Sequence, residues 1–329
     1  MSVVAEESLK HFAEEQHLEG LTPHSLRSII AGQTGYTVAK AQRFLAFQNR
    51  INRELLRHRI ITANAYTAWF REGRQSIEQV TAFIVQFSVF SNQFLIAQLR
   101  KTINADSLQG MRASKEILAN EIGVVFNPKM PVPENQESEA DAELVSTEGS
   151  VEGGVFHFRA AHFEWLLHIA EKLGLGFNDL GKRHHGTPST LFFCDELIRL
   201  YGSEDYLTSQ AASYAVENWA AAGFWEELIE GLTRFNARIA VKLPVAFFTW
   251  HNRLEAQHAR HTQEELEEIY FAREIDEDAF IRNGNVMLDG VAAFWDGLDK
   301  QRRRIAGEPP RESVSDPVTH TPPVSSASE

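Results

Sequence analysis

One stretch near the C-terminal end of the chain, WHNRLEAQHARH (250–261), carries two histidines and a glutamate at helical spacing. Positions i, i+4 and i+7 share one stripe of an α-helix, so His251, Glu255 and His258 (the triplet) project from the same face. The preceding residues, LPVAFFTW (243–250), are almost wholly apolar, which predicts that this helix enters a core. Polar groups there are costly unless they are paired or bound to metal. Imidazole and carboxylate donors without thiolate suit iron or manganese, and zinc less specifically.

Two further residues have the type and setting of partners for the triplet. Glu217 lies in ASYAVENWAAAGFW, a segment rich in alanine and aromatic residues, where a lone carboxylate must be protonated, paired or metal-bound. His162 lies in RAAHFEWLLHIAEKLG, beside Trp165 and Leu166. The alternative interpretations are a polar seam for the glutamate and a hydrogen-bonded core histidine for His162. If the triplet binds metal, these side chains are the candidates to face it.

The elements that must position these residues are predicted to be helices. Apolar residues recur at three- and four-residue steps over most of the chain, and no stretch shows sustained alternation between turn signals. No P-loop, GxGxxG or GxSxG motif is present. The sequence therefore predicts an all-α protein, and its 22 phenylalanines suit the core of a bundle of large helices.

Composition divides the chain into three predicted regions. Residues 1–85 are expected to be an N-terminal helical extension and a candidate dimerisation region, and residues 86–306 the main domain. An acidic stretch at about 127–154 is expected to be a surface insertion in that domain. Residues 307–329 are rich in Pro, Ser and Thr, which predicts a disordered tail.

Charge and cysteine usage exclude several classes of function. The net charge of −13 over 329 residues disfavours nucleic acid and anionic membranes as partners, because both need a basic surface. The single cysteine, Cys194, rules out an internal disulfide framework and a Cys-rich metal site. No signal peptide and no run of about 18 apolar residues is visible, so a cytoplasmic protein acting on a small molecule is expected.

Together, the triplet, Glu217 and His162 resemble the ligand pattern of a known superfamily. The triplet on a late helix, with Glu217 34 residues before His251 and His162 55 residues before Glu217, resembles the haem-oxygenase-like di-iron oxidases and oxygenases. ANEIGVVFN and AAHFEWLLHIAEKLG resemble the Glu-x-Gly and Ala-His segments of that superfamily, which puts Glu121 forward as a ligand. Glu152, ten residues before His162, stands where N-oxygenating members recruit one more carboxylate. The resemblance covers about 120–295, roughly half of the chain.

The resemblance implies a haem-oxygenase-like helical bundle with extra N-terminal helices, binding two Fe(II)/Fe(III) ions with O2 as co-substrate. The implied metal ligands are Glu121, Glu152, His162, Glu217, His251, Glu255 and His258. It implies an O2-dependent oxidoreductase with an external electron donor, and we expect a homodimer. Glu152 favours N-oxygenation of an amine or amino acid. Oxidative C–C cleavage and desaturation of a fatty or amino acid are alternative reactions of the same site.

Two departures from the family pattern affect the ligand set. Glu255 stands where the family usually has Asp, so the geometry at that ligand differs. The long insertion leaves open whether Glu121, Glu152 or both bind iron.

Other interpretations compete with the di-iron one. A non-catalytic helical interaction protein would keep the fold without metal, and a zinc or mononuclear-iron site would use the triplet alone. The helical thiaminase relatives use a cysteine nucleophile, whereas Cys194 is flanked by Phe and is predicted to pack as a small hydrophobic residue. True haem oxygenases need a haem-ligating histidine on an early helix, and His11, His17 and His24 lie in a polar segment that does not fit this role.

Three residues near the predicted site are candidates for binding a substrate carboxylate. Arg253, Arg260 and Tyr214 lie close to it in sequence, and guanidinium groups bind carboxylates with two parallel hydrogen bonds. A surface role is the alternative for each of them.

Overall fold

The computed structural model describes residues 3–125, 144–151, 154–159 and 161–309. Within these ranges the backbone alone is described for residues 3–6, 109, 125, 144–159 and 254–261. The described residues form thirteen α-helices. Their bounds are α1 Val3–Gln16, α2 Pro23–Ile30, α3 Val38–Glu54, α4 Arg59–Thr62, α5 Ala65–Arg71, α6 Ile77–Ile103, α7 Leu108–Glu121, α8 His162–Lys172, α9 Pro188–Glu196, α10 Tyr206–Ala220, α11 Phe224–Arg238, α12 Ala246–Ala272 and α13 Glu277–Ala306.

Local sequence signals set the ends of the helices that build the core. Ser76 caps α6 and forms a reciprocal capping box with Gln79, which satisfies backbone donors at the start of the 27-residue helix. Asp205 caps α10, accepting a hydrogen bond of 2.7 Å from the Thr208 amide. A π-helical turn, Leu197–Tyr201, follows α9 directly and brings Tyr201 into the core. These starts and stops fix which faces of α6 and α10 point inward.

The centre of the bundle is aromatic. α10 packs against α12 and α13, while α6 packs against α7, α8 and α9. Phe83, Phe87, Phe248 and Trp295 are almost completely buried, with ring centroids 5.3 to 6.5 Å apart. Stacked and edge-on rings of this kind fill volume with few rotatable bonds. They provide a rigid frame for polar groups held at its edge.

Helix α6 is the one described helix that is long and apolar enough to cross a membrane by length and composition alone. Its most apolar window has a mean hydropathy of 1.5, and 56% of that window is buried inside the protein. The apolar faces of α6 are in contact with four neighbouring helices, α7, α8, α9 and α13. A core helix needs the same composition, so burial within the bundle accounts for it.

A small antiparallel sheet interrupts the helical pattern, and the sequence did not predict it. Its strands are β1 Val124–Val125, β2 Leu144–Val151 and β3 Gly154–Arg159, in the order β1-β3-β2. The acidic insertion expected at about 127–154 thus contains a β-hairpin, and residues 126–143 and 152–153 lie outside the described residues. The sequence signals for a hairpin are β-branched and aromatic residues on either side of the glycines at 153 and 154. Glu148 and Glu152 in the same segment obscured this pattern.

The predicted boundary between residues 85 and 86 falls inside α6, which runs unbroken from Ile77 to Ile103. The helices before it contribute to the same hydrophobic core as the later ones, through Phe44, Phe47 and Tyr66 among others. The N-terminal helices therefore share their buried surface with the main bundle. The tail predicted from 307 onward lies outside the described residues after Pro309.

Candidate metal centre

Four of the seven predicted ligands come from four different helices and line one cavity. Glu121 is the last residue of α7, His162 the first of α8, and Glu217 and His251 lie within α10 and α12. All four border a cavity of about 80 Å³. The side chains of His162, Glu217 and His251 are buried, with residue exposures of 5%, 7% and 8%. Helices distant in sequence thus bring together the donor types that the sequence singled out.

The small sheet explains how two of these residues meet across a long insertion. β1 follows α7 and β3 precedes α8, and the two strands pair antiparallel with Val124 opposite Phe158. This pairing brings together the two chain segments next to Glu121 and His162, which are 41 residues apart in the sequence. The hairpin is therefore part of what positions the site.

Glu121 and His162 are in direct contact. Oε2 of Glu121 lies 2.5 Å from Nδ1 of His162. The Nδ1–H group therefore donates a hydrogen bond to the carboxylate, and in the neutral imidazole Nε2 is then the nitrogen with a lone pair. His162 Nε2 is buried and has no hydrogen-bond partner among the described residues. A buried polar atom in this state needs a specific explanation, such as an ion or water.

His251 is held in a similar way. Its Nδ1 lies 2.6 Å from the backbone carbonyl of Phe247, one turn earlier on α12. Its ring centroid is 4.4 Å from that of His162, with an interplanar angle of 51°. Metal-binding histidines commonly donate the second ring nitrogen to a carboxylate or a backbone carbonyl, which fixes the tautomer and the ring. Both partners occur here, one for each histidine.

The walls of the cavity are aromatic. The rings lining it are Phe87, Phe90, Phe94, Trp219, Trp225, Phe247 and Trp250. The His251 ring stacks on Trp225 with 4.6 Å between centroids and an angle of 22°. The indole nitrogens of Trp219 and Trp225 are also buried without a hydrogen-bond partner among the described residues. Such walls exclude water and strengthen every charge interaction inside.

Glu217 lies on α10 and lines the same cavity as Phe87 and Phe90 of α6. Tyr201 lies in this region, and burial together with the charges of Glu217 and Glu121 raises the pKa of its phenol well above its ordinary value. Tyr201 remains a neutral donor, and its hydroxyl donates to Gln98 Oε1 at 2.7 Å. Tyr201 therefore lies close enough to both carboxylates for their charges to act on its phenol.

Three of the predicted ligands cannot be placed by their side chains. Glu152 lies outside the described residues, and only the backbone is described for Glu255 and His258. That backbone is an unbroken helix, so both residues follow His251 along the same stripe of α12. Among the side chains that are described, no three His, Cys, Asp or Glu groups converge closely enough to hold a metal ion by themselves.

The carboxylate-binding candidates named from the sequence do not border this cavity in the described part of the chain. Arg253 is exposed and donates to the Thr249 carbonyl on its own helix. The Tyr214 hydroxyl donates to Gln263 at 2.8 Å and lines a separate surface hollow. The side chain of Arg260 lies outside the description. Lys101, which was not among the residues predicted from the sequence, lies near Glu217.

The residues named in the competing interpretations lie elsewhere. Cys194 is fully buried in α9, and burial raises the pKa of its thiol to about 12. A thiolate nucleophile is therefore absent at neutral pH. His11, His17 and His24 are exposed on the N-terminal helices and the turn between them.

Comparisons with known proteins identify the fold and no more. No protein-family model matches the chain, and no curated protein matches it. Among solved structures, the chain is similar to a domain of unknown function with a haem-oxygenase-like fold from Shewanella denitrificans OS217. The TM-score is 0.51 at 14% sequence identity, over 77% of this chain and 92% of that one. The fold is therefore a haem-oxygenase-like helical bundle, and the fold class predicted from the sequence is confirmed.

Proposed function

We propose that the chain is a non-haem di-iron enzyme that uses O2 to oxidise a small organic substrate. The observation that carries the proposal is the pair of buried histidines in one cavity with two carboxylates. Each histidine has its Nδ1 engaged, and Nε2 of His162 is buried without a partner among the described residues. The haem-oxygenase-like fold agrees with the proposal but does not by itself imply a reaction.

The residues present suit iron in their donor chemistry. Glu121, His162, Glu217 and His251 supply two carboxylates and two imidazoles without thiolate, a set that suits iron. Glu255 and His258 would complete the set from α12, with Glu217 shared between the two ions. When bound, the iron pair supplies the redox capacity to activate O2, with an external donor providing electrons where the reaction needs them.

The chain's own groups orient and protect that set. Glu121 accepts a hydrogen bond from Nδ1 of His162, and the Phe247 carbonyl accepts one from Nδ1 of His251, so both rings are held in a defined orientation. The tryptophan and phenylalanine walls keep bulk water away from the reacting groups. The substrate then meets a dry, preorganised site.

Within this class we favour N-oxygenation of an amine or amino acid. The choice rests on Glu152 as an extra carboxylate ligand, as the family resemblance implies. Replacing Glu152 by Ala is expected to suppress N-oxygenation. Oxidative C–C cleavage and desaturation, the alternative reactions of the same site, would not require this ligand and would continue in the variant. We propose that the protein acts as a homodimer in the cytoplasm.

The test is anaerobic titration of metal-free protein with Fe(II), followed by rapid mixing with O2. Wild-type protein is expected to bind two irons per chain and to show a transient visible absorbance after O2. His162→Ala and His251→Ala are expected to lose iron while their circular dichroism stays unchanged. His168→Ala is the matched control, because His168 lies on the same helix, α8, but is exposed and six residues away from His162.

Three results would contradict the proposal. Full iron content in both His162→Ala and His251→Ala would remove these residues from the ligand set. Tight binding of a single zinc ion, with no absorbance change on exposure to O2, would favour the zinc interpretation. Binding of no metal would favour the non-catalytic helical protein.

A further inference from the structure

A second cavity adjoins the candidate metal centre. It has a volume of about 270 Å³ and lies between α6, α7, α10 and α12. Ile117, Asn120 and Glu217 border both cavities, so a molecule bound in the second one reaches the wall of the first. The volume lies below the range of about 300–1,000 Å³ that is usual for drug-sized ligands. The position and size suit a small substrate of the adjoining centre.

Among the described side chains that line the second cavity, Lys101 is the only Lys or Arg. Its Nζ lies 2.5 Å from Ser213 Oγ and 4.7 Å from the centroid of the Tyr201 ring. Ser213 is one helical turn before Glu217, so the ammonium lies on the side of α10 that carries the predicted bridging ligand. The ammonium is thus held between a hydroxyl and an aromatic face at the border of the candidate metal centre.

The Lys101 side chain makes its direct polar contact with Ser213 rather than with a described carboxylate. Glu265 and Glu217 act on it from a distance, and neither forms an ion pair with it. Burial lowers the pKa of Lys101, an effect that the two glutamates oppose. An ammonium has three donors, and Ser213 uses one of them. The group therefore has capacity for an anionic partner that enters the cavity.

A purely structural role does not explain this placement. A cation in the last turn of a helix is favourable because of the helix dipole, and Lys101 lies in the last turn of α6. Arg100 provides the same charge in the same turn and is exposed to solvent. The dipole therefore does not require a second cation that points into a cavity.

The other charged residues that line the second cavity indicate what kind of anionic ligand it can bind. Glu116, Glu217 and Glu265 line the same cavity, and Gln210 donates to Glu265 at 3.0 Å. Three carboxylates disfavour a doubly charged phosphate but attract an ammonium group. One lysine on one side and carboxylates on the other match a molecule that carries both a carboxylate and an amine.

We propose that this cavity binds a small α-amino acid, whose carboxylate contacts Lys101 Nζ and Ser213 Oγ. The ammonium group of the ligand faces the carboxylates of Glu265 and Glu217. This inference rests on the proposed function in taking the ligand as the substrate of the di-iron centre. It narrows that function from amines in general to amines that carry a carboxylate.

The test is a screen of the twenty proteinogenic L-amino acids by isothermal titration, with metal-free protein and with the Fe(II)-loaded protein under anaerobic conditions. The tightest ligand is compared with the amine formed by its decarboxylation. We expect the amino acid to bind at least roughly tenfold more tightly than that amine, because a charge-assisted hydrogen bond is lost. Lys101→Met is expected to remove this difference, and Ser213→Ala to reduce it.

Arg100→Met is the matched control, since it removes one positive charge from the same helical turn outside the cavity. Equal binding of the amino acid and its amine, no binding of any amino acid, or unchanged binding by Lys101→Met and Ser213→Ala would each overturn the inference. Iron titration of the same variants separates the two proposals. Amino acid binding without iron binding would contradict only the di-iron function, and iron binding without amino acid binding only the substrate assignment.

Discussion

The Nδ1 atom of His162 lies 2.5 Å from Oε2 of Glu121, and the Nε2 atom of the same ring is buried without a partner among the described residues. The carboxylate thus fixes both the orientation and the tautomer of the imidazole. The contact spans 41 residues of sequence and depends on the pairing of β1 with β3. An acidic insertion that looked like a peripheral feature is therefore flanked by strands that position the site.

Replacing Glu121 by Gln tests this relationship. The amide cannot accept the Nδ1 proton with the strength of a carboxylate, so the His162 ring loses its fixed tautomer. Loss of such a partner typically lowers metal affinity by about 10- to 100-fold. We expect at least this reduction in Fe(II) affinity, measured by anaerobic titration, with helix content retained.

The control for Glu121→Gln is Glu171→Gln, an exposed position on α8 that makes the same chemical change away from the cavity. If both variants bind Fe(II) as tightly as the wild type, Glu121 neither binds the metal nor orients a ligand.

Part of the candidate site could be predicted from the sequence because its residues stand out from their surroundings. Glu217 among alanines and His251 after an apolar run are polar groups at positions where helical spacing requires burial. The structure brings both into one cavity with Glu121 and His162. Helical periodicity also gave the fold class, because its signal is repeated along most of the chain.

The hairpin and Lys101 were not predictable in the same way. The hairpin forms through pairing between segments separated by the insertion, and periodicity within one segment does not report such contacts. Lys101 follows Arg100 near a helix end, where both residues look like ordinary dipole-stabilising cations. Only the contact of Lys101 with Ser213 on α10 distinguishes the lysine that lines the cavity from the arginine that is exposed to solvent.

Replacing Gly231 by Ala is expected to destabilise the contact between α5 and α11. A Cβ atom at this position would lie against the Phe70 carbonyl oxygen and 2.6 Å from Phe70 Cδ1. Overpacking of this kind typically reduces the free energy of unfolding by about 1–3 kcal/mol. The measurement is chemical denaturation, with Gly176→Ala as the control because its nearest neighbour would be 3.7 Å away. Equal stability of the two variants would contradict the close packing.

Cys194 is expected to resist thiol reagents in the folded protein. Burial raises the pKa of its thiol to about 12, whereas Arg183 acts weakly in the opposite direction. At pH 7 to 9 the native thiol stays protonated and should not react with a disulfide reagent, while denatured protein should react fully. Since the folded pKa exceeds the unfolded value, this group's contribution to stability is complete below about pH 8.5 and is lost as the pH rises toward 12.

The contrast between native and urea-unfolded protein at the same pH measures this effect directly, and Cys194→Ala provides the blank. Rapid labelling of the native protein at pH 7 would mean that the thiol is accessible. It would reopen the interpretation of Cys194 as a nucleophile.

Replacing Glu217 by Gln separates a shared ligand from a ligand of a single ion. The carboxylate lies on α10 in the wall common to both cavities, and the proposal makes it the ligand that both irons share. A neutral amide cannot neutralise two cations, so we expect the variant to lose both irons rather than one. Glu226→Gln is the control, because Glu226 is exposed at the start of the next helix. Metal analysis after anaerobic loading and desalting gives the number of irons per chain. One remaining iron would assign Glu217 to a single ion, and two would exclude it from the ligand set.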